Sequence, residues 1–245
     1  METTERAIDV GEFKVNVATM GKGDPLVMLH GSDSRESWRI WEPLSSLGEG
    51  FSLIIPDMIG YGGSSRPLET PTYDVQARVL GELLDTMGVG LAAFLGSSWG
   101  GQVAIEVALN RPRSVSSLVL LASTYDVLQI PVLHRLRIPT LILWSEDDMI
   151  TQTKAAYVLR DAIGTSRLEV LDAVSKDPRH DFTIAHKLER YRSEQVRERI
   201  LRFLAEPGEL IAEPPELEAE LKELALKELD REKERESGRS SSGKP

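Results

Sequence analysis

Six short apolar runs punctuate the chain: PLVMLH at 25–30, FSLIIPD at 51–57, LAAFLG at 91–96, SLVLLAS at 117–123, TLILWS at 140–145 and LEVLD at 168–172. Continuous apolar runs of strand length suit strands buried on both faces, and so a parallel sheet covered by helices. Between the runs the period changes. In TYDVQARVLGELLDTMG at 72–88, Val75, Val79, Leu83 and Met87 share one helical stripe, with Thr72 placed to cap the helix and Gly88 to stop it. Ahead of these, AIDVGEFKVNVATMGKGD at 7–24 alternates with period two around Gly11, which predicts an antiparallel edge hairpin. The predicted fold class is α/β: a mostly parallel sheet with helices on both faces and an N-terminal antiparallel hairpin.

The pattern breaks after Leu204. Prolines cluster at 207, 214 and 215, charged helix formers fill 216–236, and a Ser/Gly-rich end follows. The expected organisation is a domain over 1–205, then a linker (206–215), a charged amphipathic helix (216–236) and a disordered tail (237–245). Leu217, Leu221, Leu224, Ala225 and Leu229 form an apolar stripe on that helix, read as docking on the body or as self-association.

Composition narrows the function. With 245 residues, 41% of them hydrophobic, the chain can bury one sizeable core. A net charge of −10 argues against nucleic acid or an anionic membrane as partner, since either needs a basic surface. The absence of cysteine removes disulfides, thiol nucleophiles and thiolate metal sites together. No apolar run approaches the roughly 18 residues of a membrane span, and METTERAIDVGEFK lacks the apolar core of a signal peptide. A cytoplasmic protein without metal or cofactor is the expectation.

Chemistry concentrates in FLGSSWGGQVAIEV at 94–107. Gly96-x-Ser98-x-Gly100 places small residues two before and two after a serine, between an apolar strand and a helical segment. That is the nucleophile-elbow pattern, in which the backbone turns sharply and lifts the hydroxyl from the sheet's carboxyl edge. Ser97 does not fit, because Leu95 and Trp99 occupy the positions two away from it. A serine nucleophile needs a base to take its proton and donors for its oxyanion. His30-Gly31-Ser32 ends a strand in a tight turn, so the Ser32 and Trp99 amides are the expected oxyanion pair, with His30 a structural histidine.

LHGSDSRESW, IIPDMIGYGGSS, GSSWGG and LILWSEDDMI, in this order over most of residues 12–204, resemble the α/β-hydrolase superfamily. The resemblance implies a structural role for the loop of Asp57, Gly60, Gly62 and Ser64, and it selects Asp148 as the acid of a Ser-His-Asp triad, with Asp147 a solvated neighbour. The histidine departs from the family pattern, because neither candidate follows a glycine. Counting forward from the last strand favours His180, whereas counting back from RSEQVRERILRFL favours His186, the preferred base; His134 reads as non-catalytic. Only residues 124–139 separate two strands between which many family members insert a helical cap, so no cap domain is expected. That counts against cap-dependent dehalogenases, epoxide hydrolases and proline iminopeptidases. The resulting expectation is a serine hydrolase cleaving a small acyl ester or thioester through an acyl-enzyme on Ser98. Acyl transfer or carbon–carbon bond hydrolysis with the same triad, and a non-catalytic ligand-binding scaffold, are the alternatives.

Overall fold

The apolar runs are strands. In the computed structural model, which describes residues 2–32, 37–69, 71–146, 148, 152–172 and 193–208, they form β3 (Asp24–Leu29), β4 (Phe51–Pro56), β5 (Ala92–Ser97), β6 (Val115–Leu121), β7 (Thr140–Ser145) and β8 (Ser166–Leu171). Before them, β1 (Thr3–Val10) and β2 (Phe13–Met20) make a hairpin whose turn opens on Gly11 at φ +57°. The sheet order is β1-β2-β4-β3-β5-β6-β7-β8. β2 runs antiparallel to both its neighbours, and every other pairing is parallel. The hairpin reaches back to Thr3, paired with Met20, four residues earlier than the apolar alternation shows. On β1 only Val10 is fully buried, so its first residues are held by backbone bonds and leave no apolar signature.

Every residue of β5 and of β7 is buried. Successive side chains on a strand point to opposite faces, so both faces of the sheet are covered there. The covering helices are α1 (Tyr73–Thr86), α2 (Trp99–Asn110), a single turn α3 (Ile130–Leu133), α4 (Lys154–Ala162) and α5 (Ser193–Ala205), with 3₁₀ stretches at Trp38–Glu49 and Val127–Gln129. α1 packs on α2, and α5 packs on the first 3₁₀ stretch. No helix among the described residues is long and apolar enough to cross a membrane. The described residues lie within one compact unit, Met1–Ile211; the expected helix at 216–236 and the tail beyond it are outside them.

Two local expectations are corrected. Thr72 occupies the N-cap position of α1, but its hydroxyl bonds the Asp74 carboxylate and makes no cap bond to the backbone. The buried face of α1 is also wider than the predicted stripe. Ala77, Leu80 and Leu84 are buried with Val79 and Leu83, while Val75 and Met87 at the ends are only half-buried. A helix wedged between a sheet and a second helix buries more than one stripe. Gly88, at φ +74°, follows the helix end as predicted.

α5 is tied to the edge strand β8 both by core packing and by charge. Val196, Ile200 and Phe203 face the core, and Arg199 reaches Glu169 of β8 at 3.0 Å, where Arg167 also lies 3.2 Å from the same carboxylate. The apolar face carries the larger share of this docking. Phe203→Ala is therefore expected to destabilise the chain by about 3–5 kcal/mol, read as a shift of the urea midpoint at unchanged slope.

Candidate active site

β5 ends at Ser97 and α2 begins at Trp99, so Ser98 alone makes the turn between them. Its backbone sits at φ 50°, ψ −120°, in the half of conformational space that a residue with a side chain rarely enters, at a cost of order 1–3 kcal/mol. Neighbours hold it there. The Ser98 N–H donates to Leu121 O at 3.0 Å, and its carbonyl accepts from the N–H groups of Gly101 (3.0 Å) and Thr124 (3.1 Å). The flanking glycines are steric necessities. A Cβ at Gly96 would lie 2.5 Å from Gly100 O, and one at Gly100 would run into the carbonyl oxygens of Leu29 and His30. The two serines are inequivalent: Ser97 is 1% exposed inside the strand, whereas Ser98 is half-buried at the surface of the turn.

The same close approach brings the end of β3 against the elbow. Leu29 pairs with Gly96 in register, so Ser32 and Ser98 leave adjacent strands at one edge of the sheet. Ser32 is exposed, and its carbonyl accepts from the Tyr61 hydroxyl at 3.3 Å. His30 is fully buried and bonded at both nitrogens. Nε2 accepts from the Met58 N–H at 3.0 Å, which places the ring proton on Nδ1, where it donates to Gly31 O at 2.7 Å. Burial pushes this imidazole below its ordinary pKa of 6.5, against weaker opposing pulls from the Gly31 carbonyl and the Asp57 carboxylate.

Asp57 holds the neighbouring loop together. Its carboxylate accepts from the Trp38 N–H (2.7 Å), the Gly63 N–H (2.8 Å) and Asn16 Nδ2 (2.9 Å), and its carbonyl accepts from Ser64 Oγ at 2.5 Å. Above this loop Tyr61 meets the His30 ring edge-on at 5.2 Å and the Trp99 ring at 5.7 Å, and Tyr73 from the start of α1 meets Trp99 at 5.7 Å. The indole of Trp99, which follows Ser98, is thus buttressed on two sides. Neither tyrosine announces this in the sequence, since one lies in a loop and the other reads as the first residue of a helix.

Asp148 stands three residues beyond β7 on the same carboxyl edge, 5% exposed, with its N–H bonded to Ser145 O at 3.1 Å. Only β6 lies between β5 and β7. Ser98, Trp99, Ser32 and Asp148 therefore share one edge of the sheet. Asp147, His180 and His186 lie outside the described residues. Gln102, also fully buried one turn into α2, escapes attention when only catalytic residue types are sought; its signal is a polar residue amid the apolar VAI run that follows it.

Comparison with known proteins agrees with this architecture. A family model described as the alpha/beta hydrolase fold matches residues 24–132. The chain is similar to a 2-hydroxymuconate semialdehyde hydrolase of Pseudomonas sp. (strain CF600), 33% identical over 123 residues that make up 48% of this chain and 43% of that protein. It is likewise similar to a fluoroacetate dehalogenase of Burkholderia sp., 31% identical over 149 residues, 58% of this chain and 44% of that one. The chain thus spans less than half the length of these relatives. Among solved structures, a CIB-like hydrolase from Thermoplasma acidophilum superposes with TM-score 0.72 at 20% identity, covering 83% of this chain and 98% of the other. A serine hydrolase involved in carbazole degradation gives TM-score 0.73 at 18% identity, covering 83% and 99%. At such identities the likeness is one of fold. The chain has the α/β-hydrolase fold, and residues 24–132 match the family model of that fold.

The buried His30 has a consequence for stability. Unfolding restores its ordinary pKa, so below about pH 6.5 the unfolded chain binds a proton that the folded chain resists. Stability is expected to fall as the pH drops below that point. His30→Gln, which cannot titrate, removes this part of the slope, measured as the difference in urea midpoint between about pH 7 and about pH 5. An unchanged slope would show that other groups carry it.

Proposed function

We propose that the protein is a serine hydrolase that cleaves a small acyl ester or thioester through an acyl-enzyme on Ser98. The observation that carries the reading is the backbone of Ser98, a side-chain-bearing residue held at φ 50° between a buried strand and a helix. Strain of this kind persists where the surrounding packing over-determines it, and it gathers at functional sites. In the reaction His186, or His180 as the alternative, takes the Ser98 proton while Oγ attacks the acyl carbonyl. The Ser32 and Trp99 amides receive the oxyanion, and the histidine returns the proton to the leaving group. Water, deprotonated by the same histidine, then attacks the ester and frees Ser98. Asp148 keeps the imidazole in the tautomer that accepts from serine and stabilises the imidazolium.

The small acyl substrate follows from the short β6–β7 connection, residues 122–139, which holds only a 3₁₀ turn and the single-turn α3. Selection then falls to the loops around the elbow. A second reading, carbon–carbon bond hydrolysis with the same triad, is favoured by the likeness to a 2-hydroxymuconate semialdehyde hydrolase. Acyl transfer uses the same nucleophile with a different acceptor. The dehalogenase likeness carries less weight, because Ser98 stands where that chemistry uses an aspartate.

Ser98→Ala is expected to abolish hydrolysis of p-nitrophenyl acetate, a loss of about 10⁴-fold or more in kcat, while the urea midpoint stays near that of the parent. A fluorophosphonate probe should modify the parent at Ser98 and leave the variant untouched. Folded parent protein that neither labels nor hydrolyses would favour a ligand-binding scaffold. His186→Ala and His180→Ala, compared in the same assay, identify the base as the variant whose kcat collapses.

A further inference from the structure

Gln102 is wholly buried on α2, four residues and one helical turn after Ser98, and both its hydrogen bonds leave the helix. Its Oε1 accepts from the Asp126 N–H at 2.9 Å, and its Nε2 donates to Gln129 Oε1 at 2.6 Å. Gln129 in turn donates through Nε2 to Glu106, one turn further along α2, at 2.5 Å. The Asp126 carboxylate accepts from the Leu128 N–H at 2.8 Å and so caps the 3₁₀ turn Val127–Gln129 from within. At the start of the same segment the Thr124 N–H donates to the Ser98 carbonyl at 3.1 Å. The segment that leaves β6 is therefore fastened at three points to the nucleophile and its helix.

This fastened turn presents Val127 and Leu128 to solvent, 68% and 86% exposed. A single exposed leucine says little. Two successive large apolar side chains on a turn fastened to α2 are a different matter, because the segment that carries them starts, at Thr124, with a bond to the peptide of the strained serine, and an exposed apolar patch is a candidate contact surface. The ladder that holds the turn is made of neutral amides and one carboxylate, all with partners, which gives it a defined geometry.

We propose that Gln102 is a positioning residue that locks the 124–129 rim onto the nucleophile's helix, so that Val127 and Leu128 stand as an apolar wall for the acyl chain. The wall rests on the reading of Ser98 as an acyl-accepting nucleophile, whereas the lock does not. Apart from the Thr124 bond, the elbow is held without the rim, by the Ser98 N–H bond to Leu121 O, by the Gly101 N–H bond to the Ser98 carbonyl and by the packing at Gly96 and Gly100. Loss of Gln102 therefore moves the wall and spares the nucleophile, which predicts an effect on KM and little on kcat.

Two variants test the lock. Gln102→Met keeps length and burial but removes both bonds, and Gln129→Leu removes the outer rungs from a half-exposed position that does not endanger folding. Hydrogen exchange on the full chain is expected to accelerate about tenfold or more at the amides of 124–129 in each variant, with α2 unchanged. Unaltered exchange there overturns the lock. For the wall, p-nitrophenyl octanoate and p-nitrophenyl acetate are compared. Gln102→Met, Gln129→Leu and Leu128→Ser should each raise KM for the octanoate about tenfold, with kcat within about twofold and the acetate barely affected. A merely structural role would instead lower the active fraction, reducing apparent kcat equally for both esters at unchanged KM, and that result overturns the wall. If the parent hydrolyses neither ester, the serine-hydrolase reading and the wall fall together, and exchange still decides the lock.

Discussion

The constraint on which the site depends is the turn at Ser98. Among the described residues only Ser98 and Ala122 carry a side chain at positive φ, 50° and 44°, and they follow the ends of adjacent strands. Each costs of order 1–3 kcal/mol, a sum comparable to a sizeable fraction of a domain's net stability. The sheet can sustain it because β5 is wholly buried and β6 is buried at every residue but Ser116, and because the turning peptides are themselves bonded: Ser98 N–H to Leu121 O, Ala122 N–H to Leu143 O. Relaxing either turn would break a bond and open a gap under α2. That helix starts so close to β3 that Gly100 has no room for a side chain, and the same closeness sets the distance between the Ser32 and Ser98 turns.

Around the turn, buried polar groups hold loops that no apolar packing could define. Asp57 gathers N–H groups from the start of the first 3₁₀ stretch and from its own loop, with the Asn16 amide of β2. His30 does the same at smaller scale, spanning Gly31 and Met58. Such groups are costly to bury unless every bond is made, and when they are made they allow one loop geometry and no other. This also separates His30 from catalysis. A histidine with both nitrogens committed to backbone, in a site that disfavours its charged form, has neither a free lone pair nor a ready proton for a substrate.

What the sequence discloses follows the same division. The parallel strands are legible because their apolar runs are buried, on both faces throughout β5 and β7, and α5 because Val196, Ile200 and Phe203 keep helical spacing. The elbow is legible because sterics leave no room for a side chain at Gly96 or Gly100, on either side of the turn at Ser98. β1 is less so, since an exposed edge strand needs only backbone partners, and the 3₁₀ stretch at Trp38–Glu49 is hidden by Pro43 and its irregular period. Tyr61, Tyr73 and Gln102 are invisible for a third reason: their contacts span 26 to 38 residues or leave their own element. The base is least legible, because both candidates fall in a segment with no glycine–histidine pair to fix the register, and His180 and His186 lie outside the described residues.

The ladder from α2 to the 124–129 rim answers a problem posed by the brevity of its own connection. A large insertion can shape a pocket by packing a core of its own. Eighteen residues, 122–139, cannot, since they bury few side chains beyond Leu133 and Leu136. The alternative is to borrow rigidity from an element already fixed, and α2 is the best placed because the strained turn fixes its first residue. Side-chain amides suit the task, since each offers both a donor and an acceptor and can join two separate elements. The strain at Ser98 and the order of the rim are then two uses of one fixed helix.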